Sequence, residues 1–178
     1  MTDSQYLTEQ NPTKFTQMIA WLAANKDARD IIASGHTGDV IQNWPRGNQE
    51  PDRAELEFSR ASKIMKILED SGVPYGIPPG NPDNVWGATN DKFNEYFPAS
   101  RHEFNPWCGG HGPDGKASNF FNLERDGAKF LFLQMGFDLL RGGDRLGGQG
   151  HRGPPELQSD LLHPRVPASR GGCPPRPG

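Results

Sequence analysis

Ile31-Ile32-Ala33-Ser34-Gly35-His36-Thr37-Gly38-Asp39 is an apolar run that opens on two β-branched residues and closes into a loop carrying two glycines. It predicts a buried strand over residues 31–34 that delivers polar groups at its end. Upstream, Pro12 sits where a first helical turn tolerates it, and Phe15, Met18, Ile19 and Leu22 follow at helical spacing to about Asn25. Downstream, a second helix is expected from Asp52 to Ser71. Leu56, Ile64, Ile67 and Leu68 mark its apolar face, acids crowd its first turn and Gly72 supplies the stop. Residues 73–77 then predict another short strand, ending in Pro78-Pro79-Gly80-Asn81-Pro82-Asp83, a sequence suited only to a loop. Residues 119–123 and 129–135 flank Arg125-Asp126-Gly127, a hairpin signal because Asp-Gly accepts the positive φ angles of a tight turn. Helix and strand alternation followed by a hairpin predicts an α/β layered domain over residues 1–140.

The 178 residues suffice for one such domain. The longest apolar run, residues 130–133, is far short of the roughly 20 residues that cross a bilayer, so no membrane span is expected. Thr2 to Gln5 follow Met1 without a signal-peptide pattern, which predicts a cytoplasmic chain as written, although a longer parent would be free to be secreted. A formal net charge of −3 gives no strong nucleic-acid signal, since the footprint for phosphate backbones is basic. Two cysteines, Cys108 and Cys173, make neither a disulfide framework nor a four-thiolate zinc site.

Composition changes sharply at the end. Residues 141–178 hold nine of the 22 Gly, seven of the 17 Pro and six of the 12 Arg, with no Lys and no aromatic residue. Having little to bury, this tail cannot offset the entropy of ordering its backbone and is expected to be disordered. A natural linker is one origin for it, and a shifted reading frame beginning near residues 139–141 is the other.

Three polar clusters fall on the expected loops: Asp3-Ser4-Gln5, Gly38-Asp39 with Gln42 and Asn43, and Gly80-Asn81-Pro82-Asp83. They are separated by about one helix plus one strand, so successive crossovers bring them to one sheet edge. Ligands of open α/β sheets bind there, outside the carboxyl ends of the strands. Carboxylate and amide oxygens suit hard or borderline divalent ions, while the same residues taken singly are ordinary turn formers.

In this order, Asp3-Ser4-Gln5-Tyr6, His36-Thr37-Gly38-Asp39-Val40-Ile41-Gln42-Asn43-Trp44 and Pro74-Tyr75-Gly76 before Gly80-Asn81 resemble the calcineurin-like metallophosphoesterases, in a bacterial branch with Gln at the first-motif His position. The similarity covers about residues 2–138. It implies a layered sandwich, incomplete here because its first strand and its C-terminal strands have no counterpart. It also implies two divalent metal ions (Mn, Mg, Zn or Fe) that hydrolyse a phosphate mono- or diester. Asp3 and Gln5 would be ligands of one metal, Asp39 the bridge and Asn81 a ligand of the second. The family's leaving-group His falls at Pro82, which has no titratable group, so no catalytic residue is assigned and Asp83 is expected to lack the partner it would orient. The family's C-terminal His ligands have no match, since His151 and His163 follow no strand pattern. The expected function is therefore impaired phosphoester hydrolysis. The alternatives are a non-catalytic scaffold of the same fold and a non-functional gene fragment.

Other residues have plainer readings. His36 is expected in a structural hydrogen bond, and His102, His111 and Cys108 in the packing of a Gly-rich loop. Trp21, Trp44 and Trp86 are expected as core or loop anchors.

Overall fold

In the computed structural model of the protein, residues 1–43, 51–112 and 115–137 are described. Trp44, His151, His163, Cys173 and the Arg-rich tail lie outside the described residues. Helices α1 (Gln5–Gln10) and α2 (Pro12–Ala24) lead to strand β1 (Ser34–Gly35), then the long helix α3 (Pro51–Ser71) and strand β2 (Tyr75–Gly76). Helix α4 (Asp91–Tyr96) and a 3₁₀ turn (Ala99–Arg101) precede strands β3 (Cys108–Gly112), β4 (Gly115–Arg125) and β5 (Ala128–Gln134). The fold is mixed α/β, with helices and two small sheets.

Helix α2 starts at Pro12, where a missing N–H costs nothing, and buries Phe15 and Ile19. Helix α3 presents Ala54, Phe58, Ala61, Met65 and Leu68 to them, a stripe at three- and four-residue spacing. Leu56 corrects the sequence reading of this helix. It is 49% exposed, because the buried stripe runs through residues 54, 58, 61, 65 and 68, and position 56 falls off that face. Tyr75 and Ile77 close the core from the sheet side, and Phe93 and Phe97 close it from α4 and the residue beyond it.

Strand β1 lies two residues C-terminal to the bulk of the predicted run. Only Ser34 and Gly35 pair, in parallel, with Tyr75 and Gly76. The second sheet has the order β3-β4-β5 and is antiparallel throughout. The predicted hairpin is present: Arg125 pairs with Ala128 across Asp126 (φ 52°) and Gly127 (φ 79°), two left-handed residues that match the twist of the strands. Strand β3 corrects the expectation of a Gly-rich loop around Cys108 and His111. Gly109 and Gly110 are strand residues there because the Phe120 ring lies across them, and a side-chain carbon on Gly109 would come within 2.3 Å of that ring.

Phe121 joins the two sheets. Its ring stacks on Phe132 at 4.5 Å, meets the Trp107 ring edge-on at 5.7 Å and lies against Gly76. Asn119 reaches from the same face to the Ile77 carbonyl. The face of β4 and β5 that carries Phe121, Phe132 and Gln134 is thus the inner one. Phe121→Ala is expected to cost about 3 to 5 kcal/mol through the cavity it leaves between the sheets. The urea midpoint measures this, and a loss under 1 kcal/mol would mean that the sheets are not held at this ring.

Candidate functional site

The three polar clusters meet at the carboxyl ends of β1 and β2. Thr37 Oγ1 donates to Asp3 Oδ1 at 3.1 Å, and the Ser4 N–H donates to the Asp39 carbonyl at 3.0 Å, which lays the first cluster against the second. The second meets the third through glycines. A side-chain carbon on Gly38 (φ 93°) would fall 2.5 Å from the Gly80 nitrogen, and one on Gly80 would fall 1.9 Å from Asp39 Oδ1. Only glycine permits so close an approach. Asp39 itself is left-handed (φ 53°), a conformation that Asp tolerates better than most residues.

Two buried carboxylates then hold the backbone after Asp39. Asp83 accepts from the N–H groups of Val40 (2.9 Å), Ile41 (3.0 Å) and Gly80 (2.8 Å). Glu57, buried on α3, accepts from the N–H groups of Gln42 (2.7 Å) and Asn43 (3.2 Å) and from the Asn43 side chain. Four successive backbone donors, residues 40–43, are thereby satisfied by side chains far away in sequence. With proline at position 82 Asp83 has no His to orient there, and its partners are backbone N–H groups instead, through which it clamps two of the three loops together. Nothing in the sequence singles out Glu57, which looks like any other acid near the start of α3.

His36 follows the structural reading. Its Nδ1 accepts from the Gly38 N–H at 3.1 Å, so in the neutral ring Nε2–H faces Ser4 Oγ at 3.1 Å. Burial pushes its pKa down to about 4, with the N-terminal ammonium adding to the effect and Asp3 opposing it. Burial pushes Asp83 up to about 7 against the pull of the three N–H groups. His102 packs edge-on against Tyr75 and Trp107, as expected of loop packing, and Cys108 carries no free thiol. Trp21 is not a core anchor. It is 50% exposed on α2, with the Arg29 guanidinium 5.7 Å from its ring. Trp86 is half-exposed and rests edge-on against Phe137.

Of the four predicted ligands, Asp3 is exposed, while Asp39 and Asn81 are partly buried on the converging loops. Gln5 departs from its expected loop position, being the first residue of α1. The set is two carboxylates and two amides, all oxygen donors, which fits a hard cation such as Mg²⁺ or Mn²⁺. Among the described residues no three His, Cys, Asp or Glu side chains form a metal-holding group. A cleft of about 450 Å³ lined by Lys26, Asp27, Asp30 and Arg125 lies instead at the amino ends of the strands. It shares no residue with the converging loops and is closed on one side by an Arg125–Asp30 ion pair.

No family model matches the chain, and no solved structure matches it. Among curated proteins it is similar to an uncharacterized protein, YvnB, of Bacillus subtilis (strain 168), at 26% identity over 141 residues. The match covers 78% of this chain and 10% of that protein, so the chain spans about a tenth of the length of the curated relative it matches.

His36 and Asp83 pull stability in opposite directions with pH. A histidine depressed from 6.5 to about 4 makes the fold lose stability as pH falls through that window, because the unfolded chain binds the proton first. A carboxyl raised from 3.8 to about 7 makes the fold lose stability as pH rises through its window. Each contribution is about 3 to 4 kcal/mol, so in the native chain they largely cancel between pH 4 and 6.5. In His36→Gln only the Asp83 contribution remains. Urea unfolding at pH 4.5 and 6.5 is therefore expected to show the variant gaining about 2 to 3 kcal/mol relative to the native chain on acidification. A pH-independent gap would refute the assignment. Asp83→Asn turns an NH₂ toward buried N–H donors and is expected to cost about 3 to 5 kcal/mol at neutral pH, read from the same curves. A loss below 1 kcal/mol would show that the clamp is dispensable.

Proposed function

We propose that the converging loops form the metal-binding face of a phosphoesterase of the calcineurin-like layered kind, acting on a phosphate mono- or diester. The observation that carries this reading is the meeting of Asp3, Asp39 and Asn81 loops at the carboxyl ends of two parallel strands, with Gly38 and Gly80 in contact. Asp3 and Asp39 would hold divalent metal by carboxylate, and Gln5 and Asn81 by amide oxygen. When bound, such cations neutralise phosphate oxygens and make water acidic enough to attack near neutral pH. The chain's own part is to bring these four donors together from the N-terminal segment, the start of α1 and the loops after β1 and β2, two of which the Asp83 carboxyl ties to one another.

No proton donor for the departing group stands in the third motif. Pro82 has none to give and is buried, and Asp83 spends its oxygens on three backbone N–H groups. Turnover is thus confined to esters whose leaving group departs as an anion unaided. These same two features favour a second reading, a scaffold that keeps the fold without catalysis.

With added Mn²⁺ the chain is expected to hydrolyse a nitrophenyl phosphate slowly and an alkyl phosphate not measurably. Asp39→Ala is expected to lower the nitrophenyl rate at least tenfold. Equal rates for the native chain and Asp39→Ala would end the catalytic reading, and a cooperative melt unmoved by Mn²⁺ would then favour the scaffold.

A further inference from the structure

Just beyond Asn81 the backbone is left-handed at three residues in a row, Val85 (φ 56°), Trp86 (φ 58°) and Gly87 (φ 80°). Glycine accepts this region freely, but other residues enter it singly, and a β-branched one is an outlier there. The surrounding hydrogen bonds enforce it. The Trp86 backbone N–H donates to the Asn81 carbonyl at 2.8 Å. The buried Asn84 side chain accepts from the Gly87 N–H at 2.8 Å and donates to the Phe137 carbonyl at 2.9 Å. The Phe137 N–H in turn donates to the Pro79 carbonyl at 2.9 Å. Two rings are thereby tied to the loop that carries Asn81. Trp86 and Phe137 meet edge-on, with centroids 6.1 Å apart and planes at 86°, and they are 42% and 41% exposed. A single exposed ring needs no explanation. Here the chain holds an indole at the surface in a conformation that disfavours any side chain, and strain of this kind collects at active sites and ligand clamps.

We propose that Trp86, with Phe137 at its edge, selects the ester that reaches the converging loops by receiving a flat aromatic ring carried by that ester. The proposal rests on the phosphoesterase reading of those loops for the phosphate end of the ligand. Two rings at a right angle make a corner in which a third can stack on one and meet the other by its edge, both favoured aromatic arrangements. Indole suits this role because every aryl group and every nucleobase offers it a π face. The hydrogen bond from Trp86 to Asn81 fixes the indole relative to one of the proposed metal donors. An ester with an aromatic ring near its phosphorus can therefore use both, and an alkyl ester has nothing to place against the ring. Aryl phosphates and nucleotides share this chemistry.

Calorimetric titration of the full chain in Mn²⁺ with phenyl phosphate, thymidine monophosphate and methyl phosphate tests it. At least one ring-bearing ester is expected to bind about tenfold more tightly than methyl phosphate, the contribution of one stacked ring. A gain for phenyl phosphate assigns an aryl group in general, and a gain for the nucleotide alone assigns a nucleoside. The ratio of affinities is expected to fall toward one in Trp86→Gly and to be kept in Trp86→Phe. Glycine accepts the left-handed φ at this position, so Trp86→Gly is expected to keep a cooperative melt. Because the ratio is the readout, a general loss of phosphate affinity does not imitate the effect. Equal affinities for the three esters in the native chain, or no binding of any of them, overturn the proposal. So does a ratio that survives Trp86→Gly. The metal reading fails separately, when methyl phosphate binds the native chain and Asp39→Ala alike.

Discussion

Four consecutive backbone N–H groups, those of Val40 to Asn43, depend on two carboxylates that stand on other elements. Asp83 takes the first pair and Glu57 the second. An irregular segment buried beneath helix α3 would otherwise carry orphaned donors, each costing about 1 to 3 kcal/mol. The loop after β1, the loop after β2 and the second turn of α3 are thereby fixed to one another. The left-handed Asp39, the contact of Gly38 with Gly80 and the place of the proposed metal donors all follow from that attachment.

The same attachment limits the chemistry. Asp83 cannot at once clamp the loop and orient a proton donor at position 82, and the buried proline there removes the donor itself. Burial disfavours the charged forms of Asp83 and of His36. The donors proposed to hold a cation, Asp3, Gln5, Asp39 and Asn81, stand beside these groups on the converging segments.

Much of this was legible in advance where the signal is local. The helix from Pro12, the long helix ending before Gly72 and the Asp126-Gly127 hairpin each rest on caps, spacing or turn chemistry within a few residues, and each is present. The failures have physical causes as well. Leu56 looked like a core residue because apolar side chains at helical spacing were counted without knowing which stripe the partner helix would select. The Cys108 to Gly112 segment looked like a loop because two glycines weaken a strand, until the ring of Phe120 makes any larger residue impossible there. Gln5 looked like a loop ligand because nothing nearby signals α1, which has no side-chain cap and no acid in its first turn.

The sequence by itself determined helices α2 and α3, strand β2, the β4-β5 hairpin and the polar loops after β1 and β2, because those depend on periodicity, glycine and proline acting over a few residues. Only the tertiary structure decided that the turns touch, that Glu57 and Asp83 capture the loop between them, and which face of the hairpin packs inward. These rest on groups tens of residues apart, and the identity of a buried carboxylate's partners is set by packing, not by neighbours in the chain.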